Sequence, residues 1–159
     1  MITAVDTNIF LDILLPDPQY QNVSLRSVKR GIREGVLIIC EIVYSELSVF
    51  FPAKKELDEF LDDLNVSLKS STKDSLYKAG LAWNLYLKRR GPETQCSACG
   101  NEMNITCTKC DQLLTRRHII SDFIIGAHAE ALADTLLTRD RGIYRSYFKD
   151  LKLNFKNGD

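Results

Sequence analysis

Residues 2–16 read ITAVDTNIFLDILLP, and this stretch decides the fold. ITAVD has the short apolar make-up of a buried strand. TNIFLDILLP reads as a helix that Pro16 stops, because proline cannot continue a helix and disfavours it in the residue before. Asp6 therefore stands at a strand-to-helix junction. The same alternation continues outward. Residues 20–34 place Val23, Val28 and Ile32 at helical spacing with Gly35 beyond, and VLIIC at 36–40 is a short β-branched strand. EIVYSELSVFF from Glu41 is helix-like, and residues 53–64 continue with Leu57, Phe60, Leu61 and Leu64 on one face. NVSLKSS alternates as a strand does, and residues 73–90 form another amphipathic helix through Leu76, Ala79, Trp83 and Leu87.

Gly91-Pro92 ends that helix, and residues 91–117 break the rhythm, with few large apolar side chains and four cysteines, and read as an inserted module. The alternation then resumes. SDFIIGAHAEALA opens with a serine suited to cap a helix, DTLLTRD supplies a strand, and LKLNF a last edge strand. Helices alternating with strands imply a mostly parallel sheet flanked by helices. Its right-handed crossovers bring strand carboxyl ends to one edge, where ligands bind in a crevice. Asp6 and Asp140 belong at that edge, and the helices carrying Glu46 and Asp122 start near it.

The whole-chain composition narrows the function classes. A length of 159 residues accommodates one domain plus an insertion. Lys plus Arg equals Asp plus Glu at 21 each, so any contact with a polyanion has to be local. Basic residues gather in Lys88-Arg89-Arg90, in Arg116-Arg117 and in Arg139, Arg141, Arg145 and Lys149, as nucleic-acid contacts or as solvated helix ends and turns. No run of about 18 apolar residues is present, and the opening residues lack a basic region followed by a long apolar stretch, so a membrane span and secretion are not expected. Two C-x-x-C pairs in such a chain fit metal ligation better than disulfides, which makes a reducing, cytoplasmic compartment the expectation.

Four segments, DTNIFLD (6–12), YSEL (44–47), SDFIIGAHA (121–129) and LLTRDRGIYR (136–145), occur in the order of the motifs of PIN-domain ribonucleases, which this chain resembles over nearly all its length outside the cysteine insertion. The resemblance implies a Rossmann-like α/β domain over 1–159. It also implies an acidic site that binds Mg²⁺ or Mn²⁺ and cleaves single-stranded RNA. By position Asp6, Glu46, Asp122 and Asp140 match the family's acids, and Asn8 and Thr138 match polar positions that support them. Many members have another acid shortly after the last one; Arg141 and Gly142 stand there, which puts a second metal in question. The family also often forms homodimers, and apolar positions on the helices at 20–34 and 41–64 are available for one.

Elementary electrostatics supports the same reading. Two carboxylates about 4 Å apart repel by roughly 4 kcal/mol at an effective dielectric near 20. Four of them together require protons or cations, and hard divalent ions with oxygen ligands are suited to that role. With only His118 and His128 available, a two-histidine ribonuclease mechanism is unattractive, and no glycine-rich phosphate loop is present. The competing reading is that an aspartate after a strand simply caps the next helix. Glu41 also competes with Glu46 for the second acidic position. Asp12 reads as solvated or as a support for the site, and His128 as a partly buried structural residue. His118, beside Arg116 and Arg117, either touches RNA or caps the insertion.

Cys96-x-x-Cys99 and Cys107-x-x-Cys110 place four thiols within 15 residues, a spacing that suits tetrahedral Zn²⁺ in a compact hairpin module over 91–117. Four thiolates leave no open position for water, so the ion would be structural. Four-cysteine iron has the same spacing, and colour separates the two. Cys40 reads as a small buried apolar residue. Three functional readings remain open: a VapC-type toxin with an antitoxin partner, an RNA-processing or ribosome-maturation nuclease, and a non-catalytic RNA- or protein-binding module of the same fold.

Overall fold

The computed structural model describes residues 1–15, 18–89, 94–95, 102–103, 105–114 and 120–155. The alternation legible in the sequence is realised as β1 (Ile2–Val5), α1 (Thr7–Leu14), α2 (Gln21–Glu34), β2 (Val36–Ile39), α3 (Glu41–Ser48), α4 (Lys54–Asp63), β3 (Val66–Leu68) and α5 (Lys73–Arg89). After the insertion come α6 (Ile120–Leu132), β8 (Thr135–Leu137) and α7 (Gly142–Tyr147). Four strands form one parallel sheet in the order β3-β2-β1-β8, flanked by helices.

Burial explains why these short runs are strands. Three residues of β1, three of β2 and all three of β8 are buried, as expected when helices cover both faces of a parallel sheet. Alternating polar positions would leave hydroxyls and charges in that core. The chain leaves β1 towards β2 on one side, while β8 pairs with β1 on the other, so strand order reverses between β1 and β8. A crevice opens at the carboxyl ends of strands at such a switch point.

Close packing fixes two glycines. A Cβ on Gly35 would stand 1.9 Å from the backbone oxygen of Met1, at the turn that feeds β2. On Gly126, in the middle of α6, it would stand 2.5 Å from the buried ring of Phe148, which sets how near α6 and the segment after α7 lie. Overfilling such a contact costs about 1–3 kcal/mol.

Three expectations change. LKLNF does not form a strand. It makes a single parallel bridge, Leu153 to Leu136, flanked by hydrogen bonds from Leu136 N to Lys152 O and from Asn154 N to Leu136 O, both 2.8 Å. Ser121 lies inside the first turn of α6, which begins at Ile120, and not before it. Helix α2 exposes none of the large apolar side chains expected there; among the described residues of 41–64 the exposed ones are Val49 and Phe50, at the α3–α4 turn. The insertion carries two antiparallel pairs, β4 (Thr94–Gln95) with β5 (Glu102–Met103) and β6 (Ile105–Thr106) with β7 (Leu113–Leu114). No described helix is long and apolar enough to cross a membrane.

Candidate active site

Asp6 follows β1 directly, and its backbone N–H donates to Leu137 O (3.0 Å), so the sheet itself fixes its place beside the end of β8. Its backbone is extended, as at a helix N-cap, yet its carboxylate makes no capping hydrogen bond to α1. The capping role weighed from sequence is therefore not what this side chain does. Instead Oδ2 accepts three hydrogen bonds: from Thr138 Oγ1 (2.6 Å), Asn8 Nδ2 (2.7 Å) and Tyr144 OH (3.2 Å).

These donors are themselves fixed. Asn8 Nδ2 also donates to Thr138 Oγ1 (3.1 Å), and Asn8 Oδ1 accepts from Arg139 N (3.2 Å). Thr138 Oγ1 accepts from Asp140 N (3.0 Å), and Asp140 Oδ1 accepts from Gly142 N (3.0 Å). One compact network thus joins the start of α1, the end of β8 and the start of α7. Glu46 reaches the same corner from α3, accepting a hydrogen bond from Thr7 Oγ1, next in sequence to Asp6.

The charges interact. Asp6 is buried at 6% exposure, and burial raises its pKa to about 6; the negative charge of Asp122 adds to the rise, against the hydrogen bonds from Thr138 and Tyr144. The Tyr144 hydroxyl is driven well above its ordinary range, first by burial and then by the charges of Asp6, Asp122 and Asp140. Three carboxylates from separate parts of the chain therefore act on one buried phenol. Among the described residues no three His, Cys, Asp or Glu side chains are gathered closely enough to hold an ion unaided.

Several neighbours were not anticipated or are placed differently. Tyr144 was missed as a partner of Asp6; nothing in GIYRSY distinguishes it from an ordinary core aromatic. Asp12 is not solvated: it is 2% exposed, accepts from Ser24 Oγ (2.5 Å) and pairs with Arg139 Nη2 at 2.9 Å. Arg139, which lies 4.3 Å from the centre of the Tyr20 ring, is thereby engaged in the fold, and Arg141 donates to Phe155 O. Of the basic cluster after β8, these two hold structure.

Glu41, the rival of Glu46, is used elsewhere. Its carboxylate accepts from Ser71 N (2.7 Å) and Ser71 Oγ (2.8 Å), and Ser71 Oγ lies 3.1 Å from His128 Nδ1. His128 is fully buried and not partly so as expected, and burial lowers its pKa against the opposing charge of Glu41. Cys40 is buried at the N-cap of α3. Cys107 and Cys110 sit in the turn between β6 and β7, closed by Cys107 N to Gln112 O (2.8 Å) and Asp111 N to Cys107 O (2.9 Å). Cys96, Cys99, Arg116, Arg117 and His118 lie outside the described residues.

Replacing Thr138 by valine keeps the shape while deleting the hydroxyl that Asp6, Asn8 and Asp140 share. Urea unfolding is expected to show a loss of about 1–3 kcal/mol. A change below measurement error would mean that the network carries no weight.

No protein-family profile and no curated protein matches the sequence. Solved structures match the fold. A chain of VapBC2 from Rickettsia felis, solved bound to a DNA fragment from its promoter, has 16% identity and a TM-score of 0.61 over 97% of this chain and 98% of that one. VapBC-1 from nontypeable Haemophilus influenzae gives 16% identity and a TM-score of 0.61 over 98% of each chain. VapC20 of Mycobacterium tuberculosis, a toxin that cleaves the sarcin-ricin loop, gives 14% and 0.50 over 94% and 98%. At these identities the likeness is one of fold, and the parallel α/β architecture expected from the PIN resemblance is the architecture of this chain.

Proposed function

We propose that this protein is a divalent-metal-dependent ribonuclease acting on single-stranded RNA, with Asp6, Glu46, Asp122 and Asp140 as its acidic residues and Asn8 and Thr138 as their supports. The observation that carries the reading is the burial of Asp6 among neutral donors with Asp122 beside it: a carboxylate raised to a pKa of about 6 by its surroundings is one that a cation would relieve. The donor set fits Mg²⁺ or Mn²⁺, because all its atoms are hard oxygens and Mg²⁺ typically takes one or two carboxylates plus water and phosphate. Such an ion polarises a phosphoryl oxygen and lowers the pKa of a bound water. The chain's own part is positional. Asn8, Thr138 and Tyr144 hold one oxygen of Asp6, the Gly142 N–H holds one of Asp140, and Thr7 steadies Glu46.

The test is cleavage of a mixed single-stranded RNA by the purified protein. Cleavage that needs Mg²⁺ or Mn²⁺ and is lost in Asp122→Asn is the expected result. Cleavage that survives chelation, or none across varied RNAs, would sink the assignment and favour a binding module.

Within that activity, the fold shared with VapBC complexes supports a toxin with an antitoxin partner. Exposed Val49 and Phe50 lie beside an apolar groove of about 210 Å³ lined by Tyr44, Phe51 and Leu57, a surface suited to a protein partner or to a second copy of the chain. A toxin arrests growth when expressed alone; an RNA-processing enzyme does not.

For the insertion we propose a structural Zn²⁺ held by Cys96, Cys99, Cys107 and Cys110. Support comes from its described half, where the backbone N–H groups of Lys109 and Cys110 hydrogen-bond the Cys107 thiol and lower its pKa, which favours the thiolate form that a metal binds. Elemental analysis is expected to find one colourless equivalent of zinc, lost in Cys107→Ser. A red-brown protein would mean iron, and a metal-free one would remove the site.

A further inference from the structure

Beside the acidic crevice lies a group of aromatic rings that the nuclease reading does not use. Tyr147 follows Tyr144 by one helical turn on α7, and Tyr144 touches Asp6. Phe123 follows Asp122 in α6, and its ring centre is 5.4 Å from that of Tyr147 and 5.5 Å from that of Tyr86 on α5. Tyr86 and Tyr147 meet edge to face, with centres 6.0 Å apart and an interplanar angle of 80°.

Core packing accounts for Phe123, which is completely buried. Tyr86 and Tyr147 pack against that core as well, but unlike Phe123 they remain partly exposed. The two tyrosines meet edge to face and both also meet Phe123, so a base has only the exposed part of each ring on which to stack. Arg89, one turn after Tyr86, is exposed, and its charge acts on the Tyr147 hydroxyl, with exposed Lys88 beside it. Half-exposed aromatic rings next to a local positive charge are what a single-stranded nucleic acid needs, since every base has a face to stack and every linkage a phosphate.

We propose that Tyr86 and Tyr147 stack a base of the substrate while Arg89 holds a neighbouring phosphate, placing the RNA strand across the acidic crevice. The proposal rests on the ribonuclease reading and adds to it a binding step in a chain whose total charge is balanced.

The experiment measures anisotropy of a labelled short oligouridylate and of its abasic counterpart on the full-length Asp6→Asn protein, which blocks turnover. Adding Tyr86→Leu and Tyr147→Leu together is expected to weaken oligouridylate binding about tenfold and leave the abasic chain unchanged. Tyr147→Phe, which keeps the ring, retains binding. Arg89→Ser weakens both chains and lowers the salt dependence by about one phosphate contact, and at an exposed site it does not depend on how the leucine pair folds. Equal affinity of the parent for both chains, or unchanged affinity in the leucine pair and in Arg89→Ser, would overturn the platform. Parallel cleavage by the wild-type protein separates the levels: cleavage with no effect of these substitutions removes the platform alone, whereas neither cleavage nor binding removes the nuclease as well.

Discussion

Asp6→Asn is expected to yield a protein at least about 100-fold less active and, without metal, more stable at neutral pH. The pKa of Asp6 is raised from 3.8 to about 6, so the folded state holds its proton more tightly than the unfolded state does. The stability linked to that proton is complete below pH ~4, falls as the pH rises, and is gone above ~6. The two-unit rise corresponds to about 3 kcal/mol as an upper bound, and asparagine escapes it because it never ionises. Thermal unfolding of metal-free protein at pH 7.5 and at pH 4 provides the check, with buffer pH as the variable. The variant's advantage should appear at the higher pH and vanish at the lower, and Mn²⁺ should raise the melting temperature of the parent but not of the variant. A variant that is less stable at neutral pH, or that still cleaves RNA, would contradict the role given to this carboxylate.

The sheet could be read from the sequence because its signals are local. ITAVD, VLIIC and DTLL are short apolar runs beside helical periods, and a parallel sheet covered on both faces needs nothing more to identify its strands. LKLNF was misread for the same reason: its alternation is real, but at the edge of β8 only Leu153 pairs, and the neighbouring backbone groups of Lys152 and Asn154 bond around it. That Asp6 and Asp140 follow neighbouring strands was legible, since strand ends in such a fold share one edge. What joins them was not. Tyr144 meets Asp6 across 138 positions, and Asp12 meets Arg139 across 127, contacts that no periodicity encodes. Glu41 and Glu46 cannot be told apart on helix α3 alone; the structure distinguishes them by what faces each one, Ser71 and His128 in the first case and Thr7 in the second.

Removing the Arg139 guanidinium is expected to cost the fold more than removing the charge of its partner Asp12. In Arg139→Met the Asp12 carboxylate stays buried at 2% exposure and loses the Arg139 guanidinium, and breaking a buried pair from one side typically costs about 3–5 kcal/mol. The opposite change is milder. Asp12→Asn leaves an acceptor for Ser24 and Arg139, and the guanidinium is 31% exposed and can turn to water, so a loss of about 1–2 kcal/mol is expected. Replacing both, as Asp12→Leu with Arg139→Met, should recover much of the larger loss, because the cost lies in keeping a charge buried and not in a missing attraction. Urea midpoints of the three variants measure this directly. The consequence reaches the site because Arg139 lies between Thr138 and Asp140 and its own N–H donates to Asn8. With the side chain unanchored, Asp140 and Asn8 lose their fixed places, and cleavage at temperatures where the variant is still folded should fall further than in Asp12→Asn. If Arg139→Met unfolds at the parental urea concentration, the pair is not what ties the end of β8 to α1 and α2. If it is destabilised but cleaves RNA at the parental rate, the pair holds the fold without setting the geometry of the carboxylates.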